Sequence, residues 1–145
     1  PRMDSLLYFV ERLIAVCPNE NYLGYAANIY SNLYQATRDQ NMLTNIFAIY
    51  QKMVNENPYS AQNYYQLAML YSQLGNKNKA TSIMEECMQK NGRHFEANYY
   101  NAIFTAQMGN GVNAIEMMEK TMKKFPTHAK ECQSVIDQIQ GVQKK

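Results

Sequence analysis

The stretch LYSQLGNKNKATSIMEE, residues 70–86, sets Gly75 between two apolar-periodic runs and places an alanine, Ala80, five residues further on. FTAQMGNGVNAIEMMEK, residues 104–120, interrupts itself in the same way at Gly109 and Ala114. On the two sides of the first glycine, apolar side chains fall at Tyr64, Leu67, Ala68, Tyr71 and Leu74, then at Ala80, Ile83, Met84, Cys87 and Met88. Both sets keep the three-and-four spacing of a helix face, and strand-type alternation is absent. Two helices of roughly a dozen residues each, joined by GNKN, therefore predict an antiparallel pair. Gly75 ends the first helix in a left-handed turn, which glycine adopts at least cost. Ala80 follows because the second helix crosses closely over the first, and a larger side chain there would hold the two apart.

Sliding the chain against itself by 34 residues turns this local reading into an architecture. The shift aligns Tyr65 with Tyr99, Ala68 with Ala102, Gln73 with Gln107, Gly75 with Gly109, Asn76 with Asn110 and Ala80 with Ala114. It continues through Met84 and Met118, Glu85 and Glu119, Met88 and Met122, Lys90 and Lys124, His94 and His128, making 11 identities without a gap. A fainter copy covers 27–60, with Tyr30 opposite Tyr64, Leu33 opposite Leu67, and Pro58 opposite Gly92 and Pro126. Proline and glycine stop helices, so each unit is predicted to end at the same offset.

A helix-turn-helix unit of this length, with an aromatic, Leu, a small residue and Tyr in its first helix, then Gly, Ala and a terminal Pro, resembles the tetratricopeptide repeat (TPR). Residues 61–94 carry the resemblance through Tyr64, Leu67, Ala68, Tyr71, Gly75, Ala80 and Met84. Residues 95–128 keep Ala102, Gly109, Ala114 and Pro126, but Asn98 and Asn101 stand where the pattern has large apolar groups. Either these amides are hydrogen-bonded inside, or the helix rotates to pack through Tyr99, Ala102, Ile103 and Ala106. Residues 27–60 match through Tyr30, Leu33, Tyr50 and Pro58, with Asn41 in place of the turn glycine and Ile46 in place of the crossing alanine, and the first helix is expected to begin early, near Asn21, which extends this repeat to 21–60.

The resemblance implies an all-α fold, a right-handed superhelical stack of antiparallel helix pairs. It has about three repeats, preceded by a half-repeat helix within 1–20 and closed by a capping helix within 129–145. All of 1–145 is expected to form a single domain, since the length is that of one cooperative body. DSLLYFVERLIAVCP puts Leu6, Val10, Leu13, Ile14 and Cys17 on one stripe ending at Pro18, with Asp4 or Ser5 as cap. It reads as the second helix of a repeat whose first helix is missing, and the open stripe is expected either to form a dimer through this helix or to leave a poorly packed end. Downstream, Cys132, Val135, Ile136 and Ile139 form an apolar face opposite Lys130, Glu131, Gln133, Asp137 and Gln140, as a cap over the last repeat requires. The chain begins with Pro1 rather than methionine and is expected to be a piece of something longer.

Composition narrows the class of function. With 14 basic and 12 acidic residues the net charge is +2 and the charges are scattered, so no footprint for nucleic acid or an anionic membrane exists. Lys123, Lys124, Lys144 and Lys145 are read as solvated surface. Three distant cysteines, Cys17, Cys87 and Cys132, form no CxxC pair and are read as small core residues. No run approaches the length of a membrane span, and localisation is not legible.

His94 and His128 occupy equivalent places in adjacent repeats and are read as turn residues, since stacked helices are too far apart for one metal ion to bridge. Glu85, Glu86, Glu116 and Glu119 are read as surface carboxylates, and no phosphate loop, metal motif or nucleophile elbow occurs. The ten methionines are assigned mostly to the core stripes of second helices. No cofactor, metal site or catalytic set is expected.

In the resembled family the first helices line an inner groove. The residues carried over to it are Asn28, Ser31, Asn32, Gln35 and Arg38, then Gln62, Tyr65, Gln66, Met69 and Gln73, then Glu96, Tyr99, Tyr100, Ile103 and Gln107. Amides and phenols dominate, which suits an extended peptide or a sugar better than a highly charged ligand. The basic and asparagine clamp by which chaperone-binding members hold a C-terminal carboxylate is replaced by Ser31, Gln35, Gln66, Glu96 and Tyr100. The expected function is a non-catalytic interaction domain of a larger protein, taking a peptide segment or protein partner in that groove. The alternatives are the accessory TPR region of a bacterial envelope or glycan-handling membrane enzyme, and a secretion chaperone or self-assembling scaffold.

Overall fold

The computed structural model describes residues 2–16 and 20–143. They form eight α-helices and one 3-10 turn, and no strand occurs among the described residues. The chain divides into two compact units, Pro1–Pro58 and Tyr59–Lys145.

The first unit holds α1 (Arg2–Val16), α2 (Glu20–Thr37) and α3 (Gln40–Glu56). Leu23, Ala26, Ala27 and Tyr30 of α2 are buried, as are Met42, Leu43, Ile46, Ile49, Met53 and Val54 of α3, so the two helices close an antiparallel pair along one seam. Val10 of α1 is buried, while Tyr8 and Phe9 stay exposed, ring edge to ring face at 6.0 Å. Of the predicted N-terminal stripe, the side chains of Leu6 and Leu13 and the whole of Cys17 lie outside the described residues, as does the stop at Pro18, whereas Asp4 and Ser5 stand inside α1, which starts at Arg2, so neither is its cap.

The turn of this pair corrects the gapless register. The left-handed residue is Arg38 (φ 57), followed by Asp39, whose side chain accepts from the Asn41 N–H at 2.9 Å. Asn41 is therefore inside α3 and does not replace the glycine. Arg38 and Asp39 do locally what Gly75 and Asn76 do, so the hairpin forms three residues before the place a shift of 34 assigns, and α3 is correspondingly long. Counted from the turn, Leu43 rather than Ile46 stands at the crossing place.

The second unit holds α4 (Ala61–Gln73), α5 (Lys77–Asn91), α6 (Phe95–Gln107), α7 (Gly111–Lys124), the 3-10 turn Pro126–His128 and α8 (Ala129–Gln143). Gly75 and Gly109 have φ of 87° and 89°. Around each, two backbone bonds close the preceding helix: Gly75 N–H to Ser72 O and Asn76 N–H to Tyr71 O, then Gly109 N–H to Ala106 O and Asn110 N–H to Thr105 O. The next residue starts the following helix, since the Asn76 side chain accepts from the Lys79 N–H and that of Asn110 from the Asn113 N–H. One Gly-Asn dipeptide thus stops one helix and starts the next. Ala80 and Ala114 are fully buried at the crossings.

Within this unit each helix pair packs on the next, α6 resting on both α4 and α5, and α8 covering α7 and touching α6. Beneath α8, Ala102, Met118, Cys132, Val135 and Ile136 form one buried cluster. The polar face of α8 is exposed at Lys130, Glu131, Gln133, Asp137 and Gln140. Across the two units, Met42, Met53, Met84 and Met118 are core residues.

Both readings of the α6 asparagines contain part of the answer. The Asn98 amide donates to Gly92 O at 2.9 Å and His94 O at 2.8 Å, satisfying carbonyls at the end of α5 and the start of α6. The large apolar group comes from Phe104, buried alongside Ala97 and Ala102, while Tyr99, Ile103 and Ala106 are half-buried. Lys124 also reaches Gly92 O, at 3.3 Å, tying the end of α7 to that turn.

Candidate functional site

The antiparallel pairs present α4 and α6 side by side, so residues one repeat apart meet. The Tyr65 and Tyr100 rings lie 5.2 Å apart at 37°, and Tyr100 meets Tyr99 edge to face at 5.5 Å. Tyr99 continues to Phe95 at 5.2 Å, and Phe95 stacks flat on His128 at 3.8 Å and 8° while meeting Phe125 edge-on. Six rings therefore run in contact from α4 to the turn before α8. The His128 Nδ1 lies 2.9 Å from the Glu131 carboxylate, which fixes the ring over Phe95.

The predicted residues of this unit divide by what they touch. Tyr65, Tyr99 and Tyr100 are brought together, half-buried, with Gln66, Met69 and Ile103 also half-buried and Gln62 and Gln107 exposed. Gln73 is exposed at the end of α4. Glu96 is exposed, but its carboxylate accepts from the Gln62 N–H at 3.0 Å, occupying one of the unpaired donors at the N-terminus of α4. It is a tie between repeats before it is anything else. On α2, Asn28 and Gln35 are exposed and Ser31 is half-buried, while Arg38 is exposed in the turn just after the helix. Asn32 lies on the same helix, one residue beyond Ser31.

Sequence reasoning misses Phe95 and Phe125 and reads His128 only as a turn residue, because positions at helix ends read as connectors. The aromatic at 95 beside the repeated histidine is the available signal. It also misses Tyr25, which is 70% exposed on α2. Counted back from the left-handed turn residue, Tyr25 stands where Gln62 stands in the next repeat, and Asn28 where Tyr65 stands.

Beyond Tyr99 a cleft of about 450 Å³ opens between α6 and α8, walled by Ile103, Ala106, Val135 and Ile139, with Gln107 and Gln138 at its edge. A second, of about 540 Å³, lies between α5, α6 and α7 around Met84, Met88, Phe104 and Met117. Among the described residues no cluster of three or more His, Cys, Asp or Glu side chains could hold a metal ion, and no helix is long and apolar enough to cross a membrane. His94 and His128 sit in the turns before α6 and α8.

Burial pushes the Cys87 thiol up from its usual 9.0 to about 11, with the Glu96 and Glu86 charges adding to this and a bond from Asn91 opposing it. Burial likewise raises the Tyr65, Tyr99 and Tyr100 hydroxyls, helped by Glu131 at Tyr99 and by Glu96 at Tyr100. Each group is an acid whose proton the folded chain holds more tightly than the unfolded one. Above pH 9 the unfolded state therefore carries fewer protons, and stability falls as pH rises. Urea midpoints are expected to hold level up to about pH 9 and decline towards pH 11. A midpoint unchanged at about pH 10.5 contradicts this assignment.

No family model matches the chain, and no curated protein matches it. Solved structures do match. A thermophilic TPR protein of Thermus thermophilus superposes with a TM-score of 0.65 at 18% identity, over 95% of this chain and 76% of that one. The TPR2B domain of yeast Sti1, in its complex with pHsp70, gives a TM-score of 0.50 at 15% identity, over 82% of this chain and 97% of that one. The fold is that of the tetratricopeptide-repeat proteins, an all-α array of antiparallel helix pairs.

Proposed function

We propose that the chain is a non-catalytic interaction module of a larger protein, holding an extended segment of another protein across the ring-lined face of α4 and α6. The observation that carries this is the contact row Tyr65, Tyr100 and Tyr99, half-exposed and flanked by Gln62, Gln66 and Gln73. Rings held by one another lose little freedom on binding, so their area is available at low entropic cost. The amides supply donors and acceptors for a partner's backbone without imposing a charge. The TPR2B domain of Sti1, whose fold this chain shares, is in complex with pHsp70, which supports a protein-binding role for such an array.

A peptide array probed with the 145-residue chain tests the proposal. Bound peptides are expected to weaken at least tenfold, about 1.4 kcal/mol, in a Tyr65→Ala/Tyr100→Ala variant that keeps its helical circular dichroism. Retention of every bound peptide by that variant overturns the assignment to this face.

A further inference from the structure

We infer that the Tyr65–Tyr100 ring pair and the Glu96 carboxylate together form a seat for one cationic side chain, lysine or arginine, of a bound segment. This deepens the proposed function and rests on it for the segment, though not for the seat. Glu96 is exposed, yet its Oε1 accepts from the Gln62 N–H at 3.0 Å, which holds the carboxylate at the first turn of α4. Tyr65 follows Gln62 by three residues and Tyr100 follows Glu96 by four, each about one turn along its helix. Helical side chains lean towards the N-terminal end of their helix, so both rings tilt back over the turn where that carboxylate is held. The Glu96 charge is accordingly felt at the Tyr100 hydroxyl, second only to burial.

The sign of the occupant follows from the charge that this tie leaves unanswered. A neutral N–H positions the carboxylate through one oxygen, while the second oxygen and the negative charge remain. The α4 N-terminus offsets only about half a unit of it. Among the described residues no cation forms an ion pair with Glu96, not even Arg93 three residues before it in the turn. Gln62, Tyr65, Gln66, Met69, Tyr99 and Tyr100, its companions on this face, carry no charge. One repeat further on, at the first turn of α8, Lys130 and Glu131 stand side by side and offset each other.

The rings supply what a lone surface carboxylate lacks. Tyr65 and Tyr100 lie 5.2 Å apart at 37°, and Tyr99 stands at 85° to Tyr100, so the three outline a corner rather than a flat stack. Ring faces are negative and attract a cation within about 6 Å of the centroid. A lysine or arginine lays its aliphatic stem along such rings and keeps its head at the edge, here towards Glu96. A carboxylate in the same place meets like charge, and a neutral side chain gains ring contact alone.

The test uses the 145-residue chain, labelled at its tyrosine rings, titrated with N-acetyl-argininamide, N-acetyl-lysinamide and N-acetyl-citrullinamide, the last keeping the arginine shape without its charge. The two cations are expected to give saturable shifts at the Tyr65 and Tyr100 rings, identified with Tyr65→Phe and Tyr100→Phe, and to bind at least fivefold tighter than the citrulline probe. That margin should narrow as salt is added. Glu96→Gln keeps an oxygen for the Gln62 N–H and removes the charge. It is expected to bring the cations down to the citrulline level with the melting curve retained. If that variant misfolds, the comparison of arginine with citrulline on the unaltered chain decides.

Shifts that do not saturate, equal binding of arginine and citrulline probes, or cation binding undiminished in a folded Glu96→Gln variant overturn the seat. Array peptides that are lost in Tyr65→Ala/Tyr100→Ala but bind Glu96→Gln undiminished overturn the seat and leave the tyrosine face standing. If no array peptide binds, the proposed function fails, and the probe titration alone decides the seat.

Discussion

Met118→Ala is expected to destabilise the 59–145 unit by about 2–5 kcal/mol, among the strongest effects the packing implies. Met118 is fully buried, and its neighbours in the cluster are Ala102, Cys132, Val135 and Ile136. Two features keep the vacated space from collapsing. Ala102 and Ala114 are already small and fully buried, and α8 is held both by its turn and by this cluster. The loss therefore includes a cavity as well as the transfer term. Urea unfolding followed by far-ultraviolet circular dichroism measures it, and amide exchange should show α8 losing protection first. A change below about 1 kcal/mol would mean that the cluster repacks and that α8 is held by something else.

Ala80→Leu should cost about 1–3 kcal/mol for the opposite reason, overpacking. Ala80 has no exposed surface, and a leucine side chain can be housed there only by moving α5 off α4. Leu43 stands at the equivalent crossing of the first unit when residues are counted from the turn, and is 8% exposed. There the reverse change, Leu43→Ala, should cost about 2–5 kcal/mol by opening a void. The pair of variants tests the turn-based register directly. Melts in which Ile46→Ala is damaging and Leu43→Ala harmless would restore the gapless alignment, whereas a neutral Ala80→Leu would mean that α5 does not cross α4 closely at that residue.

Residue pattern alone reaches a long way into the second unit. Gly75, Asn76 and Ala80 each have a purely local job, so two stops, two starts and two crossings are legible from spacing. The same holds for the apolar face of α8, because an amphipathic helix states which side it buries. In the first unit the alignment fails by three residues, since Arg38 and Asp39 perform the turn chemistry without resembling Gly-Asn. Identity matching follows residue type, whereas the backbone follows conformation.

The candidate site is legible in its tyrosines and not in its company. Periodicity places Tyr65, Tyr99 and Tyr100 on one side of their helices. It cannot reveal that Phe95 stacks on His128, or that Glu96 sets its carboxylate on the start of α4, because both depend on contacts between elements 33 or 34 residues apart. The cleft beside α8 depends likewise on how far that helix stands from α6. Local sequence determined which helices form, where they stop and which faces they bury, since those are fixed by neighbours within a turn or two. Tertiary structure decided which rings touch, which charge is held in place and where space remains, since these are properties of the distances between helices.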